Sequence, residues 1–482
     1  MKYIKYLVFT LTVFFVSCDT DEFLNPIPDT VVVEESFFQT DADVESGLIG
    51  IYDALQGVNE NTETNIGNFN RGLQFEHLLT EHRTDNTRNA TLEGSKSDFH
   101  RYVVDANNVE SEDFYASMFE VIFRANNVLR FIDVADASNQ AKYTAEAKFL
   151  RAYAYFKLVR LFSDVPLVTE VVGPEDNETL FVRVSEEQIY AQIVADLQEA
   201  VSVLDDSFKS RASRSAAQGI LAKVYLTQPT PNYTGAEQLC EAIINSGAFA
   251  LESNYSDVFY NELNDEIIFA IQYQFGNTLE SQSFSSEFTS FSRQGREDGQ
   301  NIVNDNLVTD FSAFGGVRGP QSFIVLGSSI EVIKYLPEGS DISVSPPTYG
   351  DNARNAGNDY IALRYADVLL MHVEATIGAG SSTSDLGALQ SFQAVRDRAF
   401  PATAPNAISS VTKDELLTER RVELAFENQR WFDLLRFGVA NDVLSAHALE
   451  MGYVYSARDL LLPIPAREIN LSDGLLTQNP GY

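Results

Sequence analysis

The feature that most limits the fold of this chain is an apolar stripe that returns at helical spacing in segment after segment. Between residues 114 and 132, apolar side chains recur every three or four positions over several turns. Residues 141–162 and 185–204 repeat the pattern, and Thr40 and Asp43 form a capping-box pattern just before another such stripe. The chain is therefore predicted to be mainly α-helical.

Some of these helices are predicted to pack in pairs. Small and apolar residues recur at the spacing with which two neighbouring helices approach closely in tetratricopeptide repeats. They are Leu221, Ala222 and Tyr225 on a first helix, Ala236, Cys240 and Ile243 on a second, and Ala388, Phe392 and Val395 on a later one. The period between pairs is irregular, which favours stacked helix pairs over a regular solenoid.

Two long stretches, residues 57–110 and 276–360, lack a sustained period and are rich in Asn, Ser, Gly, Arg and Phe. Irregular segments of this length inside a globular chain are usually functional loops or poorly ordered. They are therefore candidates for functional loops. A short extended piece is predicted at Leu460–Pro465, because Pro463 and Pro465 hold their predecessors out of the α region.

The first residues have the pattern of an export signal. Lys2 and Lys5 precede an apolar run, Tyr6–Val16, that is too short to span a bilayer as a helix. Ser17 and Cys18 end that run and acidic residues follow at once, which is typical of a lipoprotein signal of residues 1–17. Cys18 is then the predicted lipidation site, because two acyl chains on it suffice for stable membrane attachment. An ordinary secretory peptide with a chance cysteine is the alternative.

Residues 18–35 are polar, contain Pro26 and Pro28, and are predicted to be a tether behind the lipid anchor. The chain carries 69 acidic and 34 basic residues, and this excess argues against nucleic acid as a partner. The only other cysteine, Cys240, lies in a helical pattern and is predicted to be a buried thiol.

Three ordered motifs resemble one known family. They are ERRVELAFENQRWFDLLR at residues 419–436, FLRAYAYF at 149–156 followed by SDVPL at 163–167, and LPIP at 462–465 followed by QNPGY at 478–482. The chain resembles the SusD/RagB family of outer-membrane nutrient-binding lipoproteins of Bacteroidetes. Ser163 stands where the family usually has Gly, and Phe114 and Met118 stand where it tends to have Trp and Tyr.

The resemblance implies a SusD-like fold in which four tetratricopeptide-type helix pairs scaffold an irregular ligand-binding half. We divide the chain into residues 36–250, the N-terminal helical region, and residues 251–482, the SusD/RagB C-terminal region. The family further implies a SusC-like TonB-dependent transporter as partner, an oligosaccharide or polysaccharide as ligand, and a place on the cell surface of the outer membrane. A non-enzymatic binding protein without a cofactor is expected.

The segment 419–436 offers several carboxylates, which could suggest glycoside hydrolysis. Two carboxylates must flank the sugar bond, and Glu419 and Glu423, four residues apart on one helix, point the same way. Pairing with the nearby arginines is the favoured interpretation, and Trp431 is assigned to the core. His77 and His82 are five residues apart, which is not the spacing of a helical zinc pair. No metal site is predicted.

Glycan capture requires aromatic faces for the C–H faces of sugars and planar polar groups for their hydroxyls. Loop residues near 82–88 and 291–318 offer both, with a solvated loop whose arginines pair with local acids as the alternative. The candidate ligand-binding residues are Arg83, Asp85, Asn86, Arg88, Phe291, Arg293, Arg296 and Phe314, with Phe311 and Arg318 nearby. Their arginines suggest an acidic glycan, uronic or sulfated.

Three other functions stay open at this point. The same fold could collect peptides, which a panel of glycans would then fail to reveal. A surface hydrolase is less favoured, because the sequence contains no recognisable nucleophile constellation. A pure protein-interaction scaffold built on the helix pairs would bind no small ligand at all.

Overall fold

The long helices of this protein pack against one another in the order in which they occur along the chain, as seen in a computed structural model. The structure describes residues 34–57, 70–173, 175–289, 301–327, 329–344, 347–350, 353–403 and 405–482. The helices that build the body are α1 (Asp41–Gln56), α2 (Val109–Arg130), α3 (Gln140–Phe162), α4 (Glu186–Val203), α5 (Arg214–Thr227), α6 (Tyr233–Ser246), α7 (Tyr365–Ile377) and α8 (Leu386–Ala399).

Each of these eight helices contacts the next, from α1 on α2 through to α7 on α8. They therefore form four successive pairs, and the mainly α prediction is confirmed. The predicted faces are also correct: Ala236, Cys240 and Ile243 are the buried residues of α6, and Ala388, Phe392 and Val395 are buried on α8.

Helix α1 shows why the local sequence starts a helix where it does. The Thr40 side chain and the Asp43 side chain satisfy each other's backbone N–H groups in the predicted capping box. Val44, Leu48 and Ile51 then face the core at helical spacing, and none of them is exposed to solvent.

The longest interruption of the helix succession lies between the end of α6 at Ser246 and the start of α7 at Tyr365. This excursion, residues 247–364, carries β4 to β8, five of the ten strands that the structure describes. The strands of the protein are β1 (Thr87–Arg88), β2 (Val165–Pro166), β3 (Arg183–Val184), β4 (Ile267–Ile271), β5 (Ile302–Val303), β6 (Phe323–Leu326), β7 (Ser329–Val332), β8 (Tyr360–Arg364), β9 (Ser382–Thr383) and β10 (Val411–Thr412).

A four-stranded antiparallel sheet in the order β1-β5-β7-β6 joins the two stretches that the sequence presented as irregular. Thr87 pairs with Val303 and Arg88 with Ile302, so the first stretch is hydrogen-bonded directly to the second. β4 and β8 form a separate antiparallel pair whose residues are all buried. Two further antiparallel pairs lie between the helices. β2 pairs with β3 in the connection from α3 to α4, and β9, which follows α7, pairs with β10, which follows α8.

After α8 the chain forms α9 (Lys413–Glu423), α10 (Arg430–Arg436) and α11 (Ala440–Met451). Shorter α-helices lie at Glu34–Phe37, Glu76–Leu79, Asp98–Arg101, Asn177–Phe181, Asp257–Tyr260, Phe284–Glu287, Asp305–Asp310, Arg318–Ser322 and Ala466–Leu471. The main hydrophobic core extends from Phe38 to Leu476, and a smaller core lies between α7, α8 and α9.

Residues 1–33 lie outside the described residues, and with them the predicted signal, Cys18 and nearly all of the tether. The end of the predicted tether, at Glu34 and Glu35, lies in the short helix Glu34–Phe37. The division at residue 250 stays a prediction. It falls just after α6, where the excursion leaves the helices.

Candidate functional site

The segment 419–436 forms two helices and a tight turn rather than one continuous helix. Helix α9 ends at Glu423, and α10 begins at Arg430. Phe426 and Asn428 have positive φ angles of 68° and 62°, a conformation that breaks an α-helix in this turn. Because of the break, successive charges of the segment point to different parts of the protein.

Glu419 and Glu423 face a buried group of arginines. Arg318 Nη1 lies 2.6 Å from Glu419 Oε1 and 2.8 Å from Glu423 Oε2. Arg364 Nη1 lies 2.6 Å from Glu423 Oε1, and Arg398 also pairs with Glu423. These five side chains come from the excursion, from α8 and from α9, so their pairing ties the loop-rich part to the helices.

The arginines of the segment are paired as well. Arg420 binds Asp367 of α7 at 2.9 Å and Asp433 of α10 at 2.9 Å. Arg436 Nε lies 2.8 Å from Glu374 Oε1. These charges are structural, as expected, but Glu419 and Glu423 pair with arginines from other parts of the chain rather than with those of their own segment. Trp431 lies in the core with none of its surface exposed.

Electrostatics argue against acid–base chemistry at Glu423. Burial alone would raise the pKa of this carboxyl, but Arg398, Arg364 and Arg318 outweigh that effect and hold the pKa well below its usual range. A general acid needs a pKa near the working pH. Glu423 therefore stays ionised and serves as a counter-ion.

The first predicted loop cluster is buried rather than open to a ligand. Arg83 lies with its Cζ 3.8 Å from the centre of the Trp431 ring, and burial lowers the pKa of Arg83 to about 10. Arg430 Nε donates to Asp85 Oδ1 at 3.0 Å, and Arg421 Nε donates to Asn86 Oδ1 at 2.9 Å. The side chains of Arg83, Asp85 and Asn86 are thus not available to a glycan in this structure.

This outcome corrects the expectation of solvent-facing contacts for Arg83, Asp85 and Asn86. The physical reason is that Arg421 of α9 and Arg430 of α10 supply charged partners from more than 300 residues away along the chain. Burial would raise the pKa of Asp85, but Arg430 and Arg421 outweigh it and hold the pKa well below the usual range. Arg88 differs from the other three because it remains partly exposed.

The described residues of the second predicted cluster also differ from one another in burial. Phe291, Arg293 and Arg296 lie outside the described residues. Arg318 is completely buried against Glu419 and Glu423, whereas Phe314 is 46% exposed on a π-helical turn, Phe311–Gly315. The acidic-glycan hypothesis thereby loses Arg83 and Arg318 as ligand contacts.

His77 and His82 meet in the interior, with their ring centroids 5.3 Å apart. Burial lowers the pKa of His77 to about 3 and that of His82 well below its usual value. His77 also packs against Phe288, with 4.8 Å between ring centroids. The two histidines are therefore neutral and lie in the core.

The described ends of two undescribed segments, 58–69 and 290–300, meet at one surface, the loop face. It consists of the partly exposed side chains of Arg71 and Lys96 and the buried side chains of Phe75, Glu287 and Phe288 beneath them. Arg71 Cζ lies 4.7 Å and Lys96 Nζ 4.9 Å from the centre of the Phe75 ring, and Lys96 Nζ lies 3.0 Å from Glu287 Oε2.

The loop face differs from the buried network in its contact with water. The side chains of Arg71 and Lys96 keep 16% and 20% of their surface exposed, whereas Arg318 keeps none. Arg71 also binds Glu110 at 2.7 Å and Asp113 at 3.0 Å, so its guanidinium is held in place. The guanidinium of Arg71, which is held in place and keeps part of its surface exposed, is suited to donate to sugar hydroxyls.

An apolar groove of about 640 Å³ is the second surface of interest. Phe311, Phe323 and Phe400 line it, and Val325 beside them is 57% exposed. The polar side chains that line this groove are serines. It offers rings for stacking but few groups that would orient a sugar.

One group of possible metal ligands was not predicted. Glu237 and Glu241 of α6 and His372 of α7 bring one ligand atom each to within 4.8 Å of one another. Among the described residues no other cluster of three such side chains meets this distance. The two glutamates are four residues apart, but no sequence pattern connects them to a histidine on α7.

None of the described helices combines the length and the apolar character that a bilayer-spanning helix requires. The only described cysteine, Cys240, is buried as predicted, and burial raises the pKa of its thiol far above the ordinary value.

Two family profiles match the sequence. One, described as "SusD family", matches residues 339–482, and the other, described as "Starch-binding associating with outer membrane", matches residues 22–226. The chain is 29% identical to SusD-like protein P2 of Formosa agariphila, and the alignment covers 100% of both proteins.

Solved structures share the fold. One is described as a laminarin binding SusD-like protein, with a TM-score of 0.72, 24% identity, and coverage of 92% of this chain and 100% of that chain. Another is surface glycan-binding protein A from Bacteroides thetaiotaomicron in complex with laminarihexaose, with a TM-score of 0.72, 20% identity, and coverage of 91% and 99%.

Proposed function

Because the chain belongs to the SusD/RagB family, we propose that it is a surface lipoprotein that captures a glycan and delivers it to a SusC-like TonB-dependent transporter. The observation that supports the glycan-binding part is the loop face, where the two partly exposed cations Arg71 and Lys96 flank the buried ring of Phe75. Relatives with the same fold that are named for laminarin and laminarihexaose support a carbohydrate ligand.

The loop face suits a sugar better than the apolar groove does. Sugars need both a ring to cover their C–H face and donors for their hydroxyl groups, and small-molecule sites generally combine apolar walls with a few convergent polar groups. Arg71 and Lys96 supply partly exposed donors, although the Phe75 ring between them is buried with 4% of its surface exposed, whereas the groove supplies rings without such donors. Phe314, exposed at 46%, is an exposed ring among the candidate residues that the structure describes.

The charge network around Glu419 and Glu423 supports binding without catalysis. Glu419 and Glu423 are neutralised by Arg318, and Glu423 also by Arg364 and Arg398. We therefore expect no product release from any polysaccharide that the protein binds. Sugar release in a reducing-end assay would contradict this part of the proposal.

Retardation in native gels containing single polysaccharides is the direct test of glycan capture. We expect retardation by laminarin or another glycan of the panel. Lys96→Gln should weaken it, and Lys148→Gln is the matched control, since Lys148 is similarly exposed at 24% and paired with Glu199 at 2.7 Å. Equal retardation of both variants would remove the loop face from the proposal, and no retardation by any glycan would favour peptide capture.

The lipid anchor and the transporter are proposals that rest on the sequence around Cys18 and on the family. A Cys18→Ala protein should bind glycan when purified but fail to support uptake by cells. Normal uptake by that variant would contradict a role of anchoring in delivery. Co-purification of a TonB-dependent transporter with the wild-type protein tests the partner itself.

A further inference from the structure

A histidine and two glutamates converge where α6 packs against α7. Glu237 and Glu241 are four residues apart on α6, so their side chains lie on one face of that helix. His372 reaches the same point from α7, and the three ligand atoms lie within 4.8 Å of one another. His372 is 5% exposed, Glu237 is partly buried and Glu241 is exposed.

The histidine ring is held by a third helix. Its Nδ1 lies 2.9 Å from the hydroxyl oxygen of Ser391 on α8, which leaves Nε2 as the nitrogen for a metal ion. The Thr376 hydroxyl donates to Glu237 Oε1 at 3.3 Å. Metal-binding histidines in proteins are generally oriented by such a partner on the other ring nitrogen.

The distances between the ligand atoms also suit a metal ion. Zn–N and Zn–O bonds of about 2.0–2.2 Å require ligand atoms closer together than 4.8 Å, and the exposed Glu241 side chain can rotate to close that distance.

An open path leads to this point. A cleft of about 510 Å³ between α6, α7 and α8 is lined by Glu241, His372 and Ser391. A bound ion would therefore keep positions open for water or for an external ligand. Three protein ligands with an open position distinguish such a site from a closed structural zinc site with four.

We propose that Glu237, Glu241 and His372 bind a divalent first-row transition-metal ion, with Zn²⁺ as the first candidate. Imidazole suits Zn²⁺ better than it suits Ca²⁺ or Mg²⁺, which prefer oxygen ligands alone. The ion joins α6 to α7, the two helices between which the excursion 247–364 leaves and returns. It thereby fixes the base of the loop-rich part.

The experiment uses the full chain, purified in detergent and stripped with a chelator. Zn²⁺ is titrated in by calorimetry, and Co²⁺ absorption reports the coordination. We expect one saturable site in the wild type and a rise in Tm with Zn²⁺. Glu241→Gln and His372→Gln should abolish saturable binding, and Ser391→Ala should weaken it roughly tenfold or more.

His447→Gln and Glu450→Gln are the matched controls. These residues also place a histidine and a carboxylate three positions apart on one helix, α11, but no third ligand completes a group there. Both controls should bind Zn²⁺ as the wild type does. Unchanged binding in Glu241→Gln, an exposed position that should not disturb folding, would overturn the proposal, as would weak non-saturating binding in every protein.

Discussion

The segment 419–436 and the loop face use the same kinds of side chain in opposite surroundings. In the first, Glu423 is completely buried among Arg318, Arg364 and Arg398. In the second, Lys96 keeps 20% of its surface exposed beside Glu287. The same ion-pair chemistry therefore fixes the fold in one place and remains accessible to a ligand in the other.

The comparison teaches that the most recognisable motif of this chain is not its binding site. A buried charge without its partner is costly, so a buried network constrains every member at once. A solvent-exposed ion pair contributes less to stability. We therefore expect ligand recognition to use charges that are more exposed than those of the segment 419–436, and substitutions can test this separation.

Removing one buried carboxylate should have the largest effect. Glu423→Gln leaves three buried arginines with too little negative charge, and we expect the free energy of unfolding to fall by about 3–5 kcal/mol. Urea denaturation measures this change. Glu450→Gln on the exposed face of α11 should stay within about 0.5 kcal/mol of wild type. A loss for Glu423→Gln no larger than that of the control would contradict the structural role of the network.

A pH-dependent effect of intermediate size should come from Glu81, which neighbours the turn at 424–429. Asn86 and the backbone N–H of Asn428 donate to its carboxylate, but burial dominates and raises its pKa to about 7. The folded state thus binds this proton more strongly than the unfolded chain does. Stability from this group is full below about pH 4.5 and is lost as the pH rises towards 7.

Glu81→Gln should remove that pH dependence. Relative to the variant, the wild type should lose roughly 2–3 kcal/mol of unfolding free energy between pH 4.5 and pH 8. Urea denaturation of both proteins at the two pH values gives the difference directly. Parallel pH profiles would show that the carboxyl of Glu81 titrates normally.

At the loop face a substitution should reduce binding as well as stability. Lys96→Gln removes one donor beside Phe75, and we expect glycan affinity to fall roughly tenfold, as for the loss of one charged hydrogen bond. The unfolding free energy should fall as well, because Glu287 is completely buried and loses its ion-pair partner. A large stability loss with unchanged affinity would assign Lys96 to the scaffold.

The smallest effect is expected on the surface of the helix pairs. Lys148→Gln breaks the exposed pair with Glu199 and should change stability by about 0.2–1 kcal/mol. Glycan affinity should not change, since α3 and α4 lie outside the loop face. Titration calorimetry with the same glycan measures both lysine variants under one condition.

The helices could be predicted from the sequence because their information is local. The capping box at Thr40 and the buried spacing of Ala236, Cys240 and Ile243 lie within single turns of the chain. The break in 419–436 could not be predicted, because the turn at 424–429 contains no glycine or proline, and yet Phe426 and Asn428 adopt positive φ angles. Tertiary contacts of the segment impose that conformation.

Long-range pairing explains the other differences. β1 and β5 have two residues each and lie more than 200 residues apart, so neither has a periodicity that a sequence can reveal. Asp85 looked like a loop residue because its partners, Arg421 and Arg430, follow more than 300 residues later. His372 was separated from Glu237 and Glu241 in the same way.

The close approach at Gly57 and Gly72 has a consequence for the connection between them. A Cβ at Gly57 would lie 2.0 Å from the carbonyl carbon of Arg71, and the Leu73 N–H donates to Leu55 O at 3.0 Å. Residues 55–57 and 71–73 thus lie against each other, which fixes the two ends of the connection between them. Each doubling of the length of such a connection costs only about 0.6 kcal/mol in closure entropy. We therefore expect insertions between Gly57 and Gly72 to leave the stability of the protein nearly unchanged.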